Sequence, residues 1–87
     1  MWYVYVLKSQ NSDFRYVGYT HSLEKRLIEH NDGLNQSTKS FAPYVIEAYV
    51  AIETKEKAKK LEKYFKTGSG KAVLYKRILM MDKYFKD

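Results

Sequence analysis

The pattern of apolar and polar positions at the start of the chain predicts two β-strands. Residues 2–8 and 14–19 are mainly β-branched or aromatic, a composition typical of strands, and the polar residues 9–13 between them predict a turn. In a hairpin built on this turn, Tyr5 would lie opposite Tyr16 and on the same face of the sheet. The same register would place Gly18 opposite Tyr3, where the lack of a side chain leaves room for a ligand.

A change to helical periodicity follows at once. Ser22 is a suitable N-cap for a helix over residues 23–31. The positions at i, i+3, i+4 and i+7 hold Leu23, Arg26, Leu27 and His30. Arg26 and His30 therefore share the stripe that the leucines bury. A charge on that stripe needs a partner, because burying an unpaired charge is costly.

The second half of the chain predicts one more strand and two more helices. Residues 32–40 are polar and aperiodic, which indicates a loop, and residues 44–52 predict a third strand. Thr54 is expected to cap a second helix that ends near residue 66. The inner face of this helix holds Ala58, Leu61, Glu62 and Phe65. Glu62 thus interrupts an apolar stripe, as Arg26 does on the first helix.

Two glycines are expected to separate the second helix from the third. Gly68 is a natural residue to follow a helix C-terminus, so the stretch 68–70 predicts a break before a last helix over residues 72–79. The resulting order, ββαβαα, predicts an α+β fold with a small three-stranded antiparallel sheet flanked by helices. The 87 residues suffice for one domain, which we assign to residues 1–79, with a C-terminal tail at 80–87.

Charge and cysteine content narrow the function classes. A net charge of +6 and a pI near 9.5 favour an anionic partner, nucleic acid first and an acidic membrane surface second. The absence of cysteine excludes disulfides, thiolate zinc sites and a cysteine nucleophile, and it fits a reducing, cytoplasmic location. No apolar run has the length of a membrane span and no signal peptide is recognisable, so a membrane-embedded or secreted protein is not expected.

The candidate site residues occur in a characteristic order: Tyr3-Val4-Tyr5, then after ten residues Tyr16-Val17-Gly18, then Arg26, His30 and Glu62. In this order they resemble the GIY-YIG nuclease family. More specifically, the chain resembles small stand-alone bacterial members, which are similar to the N-terminal nuclease domain of the bacterial excinuclease ABC. The resemblance extends over nearly the whole chain, as far as Gly70.

The resemblance implies a DNA endonuclease that uses one divalent metal ion, Mg²⁺ or Mn²⁺. Tyr5, Tyr16, Arg26 and His30 match the family's catalytic positions, and Glu62 matches its metal ligand. Branched, damaged or single-stranded DNA is the implied substrate, in DNA repair or processing. A separate targeting protein is a further partner to consider, and Tyr84 and Phe85 in the tail are candidates for its interface.

These residue types suit phosphodiester hydrolysis, which needs an activated water and relief of the phosphate charge. Arg26 can give phosphate oxygens two hydrogen bonds in fixed geometry. A single inward carboxylate, Glu62, suits one hard cation completed by water and phosphate. Tyr5 is the predicted general base, with Tyr16 and His30 as relay or water-positioning groups. An unperturbed tyrosine, with a pKa of ~10, is ionised to only about one part in a thousand at neutral pH, so it needs such help.

Each of these residues also has a structural interpretation. Tyr5 and Tyr16 are ordinary strand residues when taken alone, and His30 taken alone is more often a hydrogen-bonded residue at the core boundary than a catalyst. Arg26 and Glu62 could form a salt bridge with each other. The nuclease hypothesis therefore depends on all five positions together.

Departures from the family pattern support a second hypothesis, a catalytically weak or inactive nucleic-acid-binding module of the same fold. Tyr3 stands at a position of the first motif that is usually glycine, and Tyr19 replaces a lysine found in many members. The family's downstream asparagine is also missing, because no asparagine follows Glu62. The lysines of the second helix are expected mostly to face solvent, with contact to DNA phosphates as the alternative; they are Lys55, Lys57, Lys59, Lys60, Lys63 and Lys66.

Overall fold

A three-stranded antiparallel sheet lies at the centre of the computed structural model, which describes residues 1–81. The strands are β1 (Trp2–Ser9), β2 (Arg15–Thr20) and β3 (Tyr44–Ile52). They are arranged in the order β2-β1-β3, so β1 is central and β2 and β3 are the two edges. The sheet pairs are antiparallel throughout, which confirms the predicted sheet.

Three helices flank this sheet, α1 (Leu23–Asn31), α2 (Lys55–Phe65) and α3 (Gly68–Val73). A short 3-10 turn (Lys39–Phe41) precedes β3, and α3 continues into a π-helical turn (Leu74–Ile78). The predicted order ββαβαα is confirmed. No helix between residues 1 and 81 is both long and apolar enough to cross a membrane.

Both predicted N-cap residues occupy their expected positions, but they act differently. The Thr54 hydroxyl accepts a hydrogen bond from the backbone N–H of Lys57 at 3.2 Å. Ser22 precedes α1 without forming a side-chain cap. Residues 82–87, including the tail aromatics Tyr84 and Phe85, lie outside the part of the chain that the structure describes.

Alternation along β1 divides the core into two clusters, one on each face of the sheet. Val4 and Val6 pack against residues of α2 and the chain that follows it: Ala58, Phe65 and Leu74. Tyr5 and Leu7 belong to the other cluster, against α1 and the start of β3: Leu23, Leu27 and Tyr44. Helices α1 and α2 therefore cover opposite faces of the sheet.

The predicted hairpin register is wrong by two residues. Tyr5 pairs with Gly18 and Leu7 with Tyr16, whereas the sequence suggested Tyr5 opposite Tyr16. The cause is Ser9, which extends β1 instead of starting the turn: its side chain is buried and its hydroxyl donates to the Phe41 carbonyl at 2.7 Å. A shift of two residues preserves the faces, so Tyr5 and Tyr16 remain on one side of the sheet, with ring centroids 6.3 Å apart.

The predicted break at residues 68–70 is also wrong, because these residues form the first turn of α3. The Thr67 hydroxyl caps that turn by accepting a hydrogen bond from the Gly70 N–H at 3.0 Å. Glycine at position 70 serves close packing, since a Cβ there would overlap the backbone carbonyl of Tyr64 in α2. A helix start, and not a helix stop, explains these glycines.

The left-handed glycine expected at position 68 is found instead after α1. Gly33 has a φ of 76°, and its N–H donates to the His30 carbonyl at 3.2 Å while the Leu34 N–H donates to Glu29 at 3.1 Å. These two bonds form a Schellman motif. They turn the chain back so that residues 34–41 pass beside the end of α1.

Candidate active site

Four of the five predicted site residues line one cavity of about 330 Å³, which we call the active-site cavity. They are Tyr5, Tyr16, Arg26 and Glu62, each from a different helix or strand. The cavity is completed by Gly18, Tyr19 and Thr20 of β2, together with Trp2 and Lys55. The fifth residue, His30, lies behind Tyr5 and is fully buried.

The position of β2 at the sheet edge explains how helices on opposite faces contribute to one cavity. Arg26 belongs to α1 and Glu62 to α2, yet both side chains line the space beside β2. Because no strand continues the sheet beyond β2 within residues 1–81, side chains from both faces meet around its outer side. A central strand would have kept the two helices' side chains apart.

Gly18 allows the Tyr5 ring to reach this edge. Tyr5 and Gly18 are cross-strand partners, and a Cβ at position 18 would overlap the Tyr5 hydroxyl and ring. The phenol therefore lies across the glycine, which is why the room expected opposite Tyr3 is occupied by Tyr5 itself. A glycine is needed here for the close approach of a side chain and not for its backbone conformation.

A buried chain of hydrogen bonds leads away from the Tyr5 hydroxyl. That hydroxyl lies 3.0 Å from Nε2 of His30, and Nδ1 of His30 lies 2.7 Å from the hydroxyl oxygen of Thr38. The Thr38 hydroxyl is in turn 3.4 Å from the Asn35 carbonyl oxygen, to which it donates. Tyr44 fixes this segment by donating to the Thr38 carbonyl at 2.6 Å. Both ring nitrogens of His30 therefore have partners, as in the structural interpretation of this residue.

Burial sets the protonation of this chain. It raises the pKa of Tyr5 to about 12, against the opposing effect of the Arg26 guanidinium. It also lowers the pKa of His30, and the positive charge of Arg26 adds to that shift. At neutral pH the network therefore consists of a neutral phenol beside a neutral imidazole.

Arg26 and Glu62 do not pair with each other, as the salt-bridge alternative required. Nη1 of Arg26 lies 2.9 Å from Glu29, one turn along α1. Oε2 of Glu62 lies 2.5 Å from Nζ of Lys66, one turn along α2. Each side chain thus keeps a local partner on its own helix while lining the shared cavity.

The donor set is compatible with a weak site for one divalent cation. Residues 1–81 contain no group of three or more histidine, cysteine or acidic side chains placed to hold a metal. Glu62 is the single carboxylate that lines the cavity, with 15% of its side chain exposed. One carboxylate oxygen, supplemented by water and phosphate oxygens, matches the coordination that Mg²⁺ and Mn²⁺ take beside nucleic acids.

Sequence reasoning missed Thr38 and Lys66. Thr38 lies in a polar, aperiodic stretch, and nothing in its sequence neighbourhood distinguishes it from the other hydroxyl residues there. Lys66 was interpreted as part of a solvated helix face. Its spacing of four residues from Glu62 was a usable signal, because residues at i and i+4 are neighbours on a helix.

Comparison with known proteins places this geometry in a family context. The model of the GIY-YIG catalytic domain matches residues 1–76. A UPF0213 protein of Bacillus licheniformis is 39% identical over 70 residues, which cover 79% of this chain and 71% of that protein. A UPF0213 protein of Clostridium perfringens is 36% identical over 65 residues, covering 74% and 69% of the two chains.

A solved structure is similar over almost the full length of the chain. It is the solution NMR structure of a UPF0213 protein from Bacillus halodurans, which aligns with a TM-score of 0.56 and 26% identity. The alignment covers 97% of this chain and 93% of that one. The fold is therefore one already seen by experiment in a small bacterial protein.

Proposed function

The chain belongs to the GIY-YIG family, and we propose that it is a metal-dependent DNA endonuclease that hydrolyses phosphodiester bonds in branched, damaged or single-stranded DNA. The observation that carries the proposal is the convergence of Tyr5, Tyr16, Arg26 and Glu62 on one cavity at the edge of the sheet. The net charge of +6 suits a polyanionic substrate. We place the activity in DNA repair or processing.

Arg26 binds the scissile phosphate in this proposal. Its side chain is 35% exposed and lines the cavity, so its guanidinium is accessible while Glu29 holds one end of it. A planar guanidinium offers two parallel donors to two phosphate oxygens. Charge that develops on the phosphate during hydrolysis is thereby stabilised by a group already in place.

Tyr5 takes a proton from the attacking water and passes its own proton to His30. A pKa of about 12 leaves only about one phenol in 100,000 ionised at pH 7, so Tyr5 cannot act as a standing base. His30 is neutral at that pH because burial lowers its pKa, and its Nε2 lies 3.0 Å from the Tyr5 oxygen. The transfer of one proton in and one proton out keeps the phenol neutral before and after the step.

Thr38 selects the His30 tautomer that this transfer needs. Because the Thr38 hydroxyl donates to Asn35, it accepts from Nδ1–H of His30. Nε2 is then the unprotonated nitrogen, which accepts the proton of Tyr5. The Tyr16 hydroxyl, on the same face of the sheet, orients the water.

Glu62 would hold the divalent cation, Mg²⁺ or Mn²⁺. When bound, the cation supplies neutralisation of charge on the phosphate and the leaving oxygen. Lys66 must then give up its contact with the carboxylate.

A substrate panel with matched variants tests the proposal. Branched, nicked and single-stranded DNA would be incubated with Mg²⁺ or Mn²⁺ and with wild type, Glu62→Gln or Glu56→Gln, the last on an exposed position of the same helix. We expect kcat/KM to fall at least about 100-fold in Glu62→Gln, since the metal's contribution is several kcal/mol, and to stay at the wild-type level in Glu56→Gln. Unaltered cleavage by a folded Glu62→Gln protein would refute the proposal.

The second candidate function, a nucleic-acid-binding module with weak or no activity, is favoured by one contact. Lys66 already neutralises the Glu62 carboxylate, and tyrosine stands at position 19 of the cavity wall. Salt-dependent DNA binding without cleavage under any divalent metal would support this alternative.

A further inference from the structure

A second cavity, of about 210 Å³, lies on the other side of Tyr16 from the active-site cavity. We call it the basic groove. Its lining comes from β2, the end of α2 and the chain from α3 onward: Arg15, Tyr16, Val17, Phe65, Lys66, Lys71, Leu74 and Tyr75. Tyr16 lines both spaces, so the groove continues the active-site cavity along the sheet edge.

The polar lining of the groove is cationic. The Arg15 guanidinium and the Lys71 ammonium lie 5.7 and 5.6 Å from the centroid of the Tyr75 ring, and none of the described lining residues is acidic. Arg15 is held in place by Glu47 at 2.7 Å. Lys71 forms no ion pair within residues 1–81, so its charge is available to a ligand. Such a surface suits a phosphate better than a neutral group.

Lys66 connects the groove with the active-site cavity. Its Nζ lies 2.5 Å from Oε2 of Glu62 and 5.4 Å from the centroid of the Tyr16 ring. Its side chain is 48% exposed, so it is free to rotate toward either space. A divalent cation on Glu62 would occupy the same carboxylate and repel the ammonium. Lys66 and the metal ion are therefore alternative partners of Glu62.

We propose that the basic groove binds the phosphate next to the scissile one in the DNA strand, and that Lys66 exchanges Glu62 for this phosphate when the carboxylate takes a divalent cation. The inference rests on the proposed function, because it assumes DNA in the active-site cavity. It adds a second anchoring point for the strand on the far side of Tyr16. It also assigns Lys66 a role as a removable counter-ion that occupies the acidic group until metal and DNA arrive.

Substituting Lys66 should move two affinities in opposite directions. Without DNA, Lys66→Met should bind Mn²⁺ about two- to five-fold more tightly than wild type, because it removes a competing ion pair of ordinary surface strength. Without metal, the same variant should bind a labelled single-stranded oligonucleotide several-fold more weakly. The slope of log affinity against log salt concentration should become shallower by about 0.7 for the lost phosphate contact.

Two further variants separate the groove from general charge effects. Lys63→Met removes an equal charge from an exposed position of the same helix and should leave Mn²⁺ binding unchanged and DNA binding nearly so. Lys71→Met should weaken DNA binding to a similar degree as Lys66→Met without altering Mn²⁺ affinity. The titrations would be followed by Mn²⁺ electron paramagnetic resonance and by fluorescence anisotropy.

Equal loss of DNA affinity in Lys63→Met and Lys66→Met would overturn the groove as a subsite. Unchanged Mn²⁺ affinity in Lys66→Met would overturn the exchange of partners. Both measurements report binding and not cleavage. A protein that cleaves DNA but fails them disproves only this inference, whereas a protein that passes them without cleaving any DNA disproves the nuclease proposal alone.

Discussion

The hydroxyl oxygen of Tyr5 lies 3.0 Å from Nε2 of His30, and the two residues are 1% and 0% exposed. The imidazole therefore contacts the active-site cavity only through the phenol. A histidine in this position serves a tyrosine and does not meet DNA. This relationship turns a poorly acidic tyrosine into a group that can exchange protons at neutral pH.

The first prediction concerns the pH dependence of cleavage. We expect log(kcat/KM) to rise with pH in the acid range and to level off, with a midpoint below 6.5, because burial and Arg26 lower the pKa of His30 from that value. Only the neutral imidazole accepts the Tyr5 proton. Initial rates between pH 4.5 and 8 measure this, as buffer conditions chosen around the ordinary histidine pKa of about 6.5. A His30→Gln protein that keeps the same acid limb would contradict the assignment.

The second prediction concerns stability and follows from the same lowered pKa. In the folded protein the pKa of His30 lies below its ordinary value of 6.5, so in acid the unfolded chain binds this proton more readily. The contribution of His30 to the free energy of unfolding is therefore complete above about pH 6.5 and is lost as the pH falls through the folded pKa. The loss amounts to about 1.4 kcal/mol for every pH unit that separates the folded pKa from the unfolded one.

Urea denaturation at neutral and mildly acidic pH measures this difference. His30→Asn should have a smaller acid loss of stability than wild type. His21→Asn, which removes an exposed imidazole, should keep the wild-type dependence. Identical pH dependences in all three proteins would show that His30 does not cause the acid loss.

The third prediction tests Thr38 as a positioning residue. Thr38→Val keeps the shape of the side chain but leaves Nδ1 of His30 without its partner at 2.7 Å, which should cost about 1–3 kcal/mol of stability. The kcat should fall about ten-fold or more, as for other residues that orient a catalytic histidine, with KM for DNA unchanged. Thr38→Ser restores the hydroxyl and should recover kcat. A Thr38→Val enzyme with wild-type kcat and pH profile would limit Thr38 to a structural role.

The fourth prediction uses two glycines with opposite surroundings. In Gly18→Ala the new methyl group overlaps the Tyr5 hydroxyl, so the ring must move away from His30. We expect a loss of about 1–3 kcal/mol in stability, as for other overpacked sites, and a severe loss of cleavage. Gly68→Ala has no atom within 4 Å of the new methyl group and should gain up to about 1 kcal/mol from helix propensity. Equal activity of the two variants would argue against the placement of Tyr5.

Local pattern was sufficient for most of the fold. The bounds of α1 and β3 match their predicted ranges of 23–31 and 44–52, because an amphipathic stripe and a run of β-branched residues each report a property of nearby positions. Glycine is ambiguous by comparison. Gly68 and Gly70 were interpreted as a helix stop, yet they begin α3, since the backbone of α2 approaches at Gly70.

The candidate site was predictable only in part, for a similar reason. The helical stripe indicated that Arg26 and Glu62 point inward, and both line the cavity. Register and loop contacts depend on distant residues instead. Ser9 joins β1 through its bond to the Phe41 carbonyl, and Thr38 reaches His30 through the turn after α1. No short sequence window contains either pair, so the hairpin register and the end of the proton relay became visible only in three dimensions.

Full enclosure of His30 has a consequence for the end of each catalytic cycle. A proton that arrives on this ring has no route to bulk water of its own, because both nitrogens are engaged and the residue is 0% exposed. It must go back through the phenol to the space that holds the reaction products. The enzyme would then reset itself by running its relay in reverse, and the departing oxygen of the cut strand is the nearest acceptor for what the relay returns.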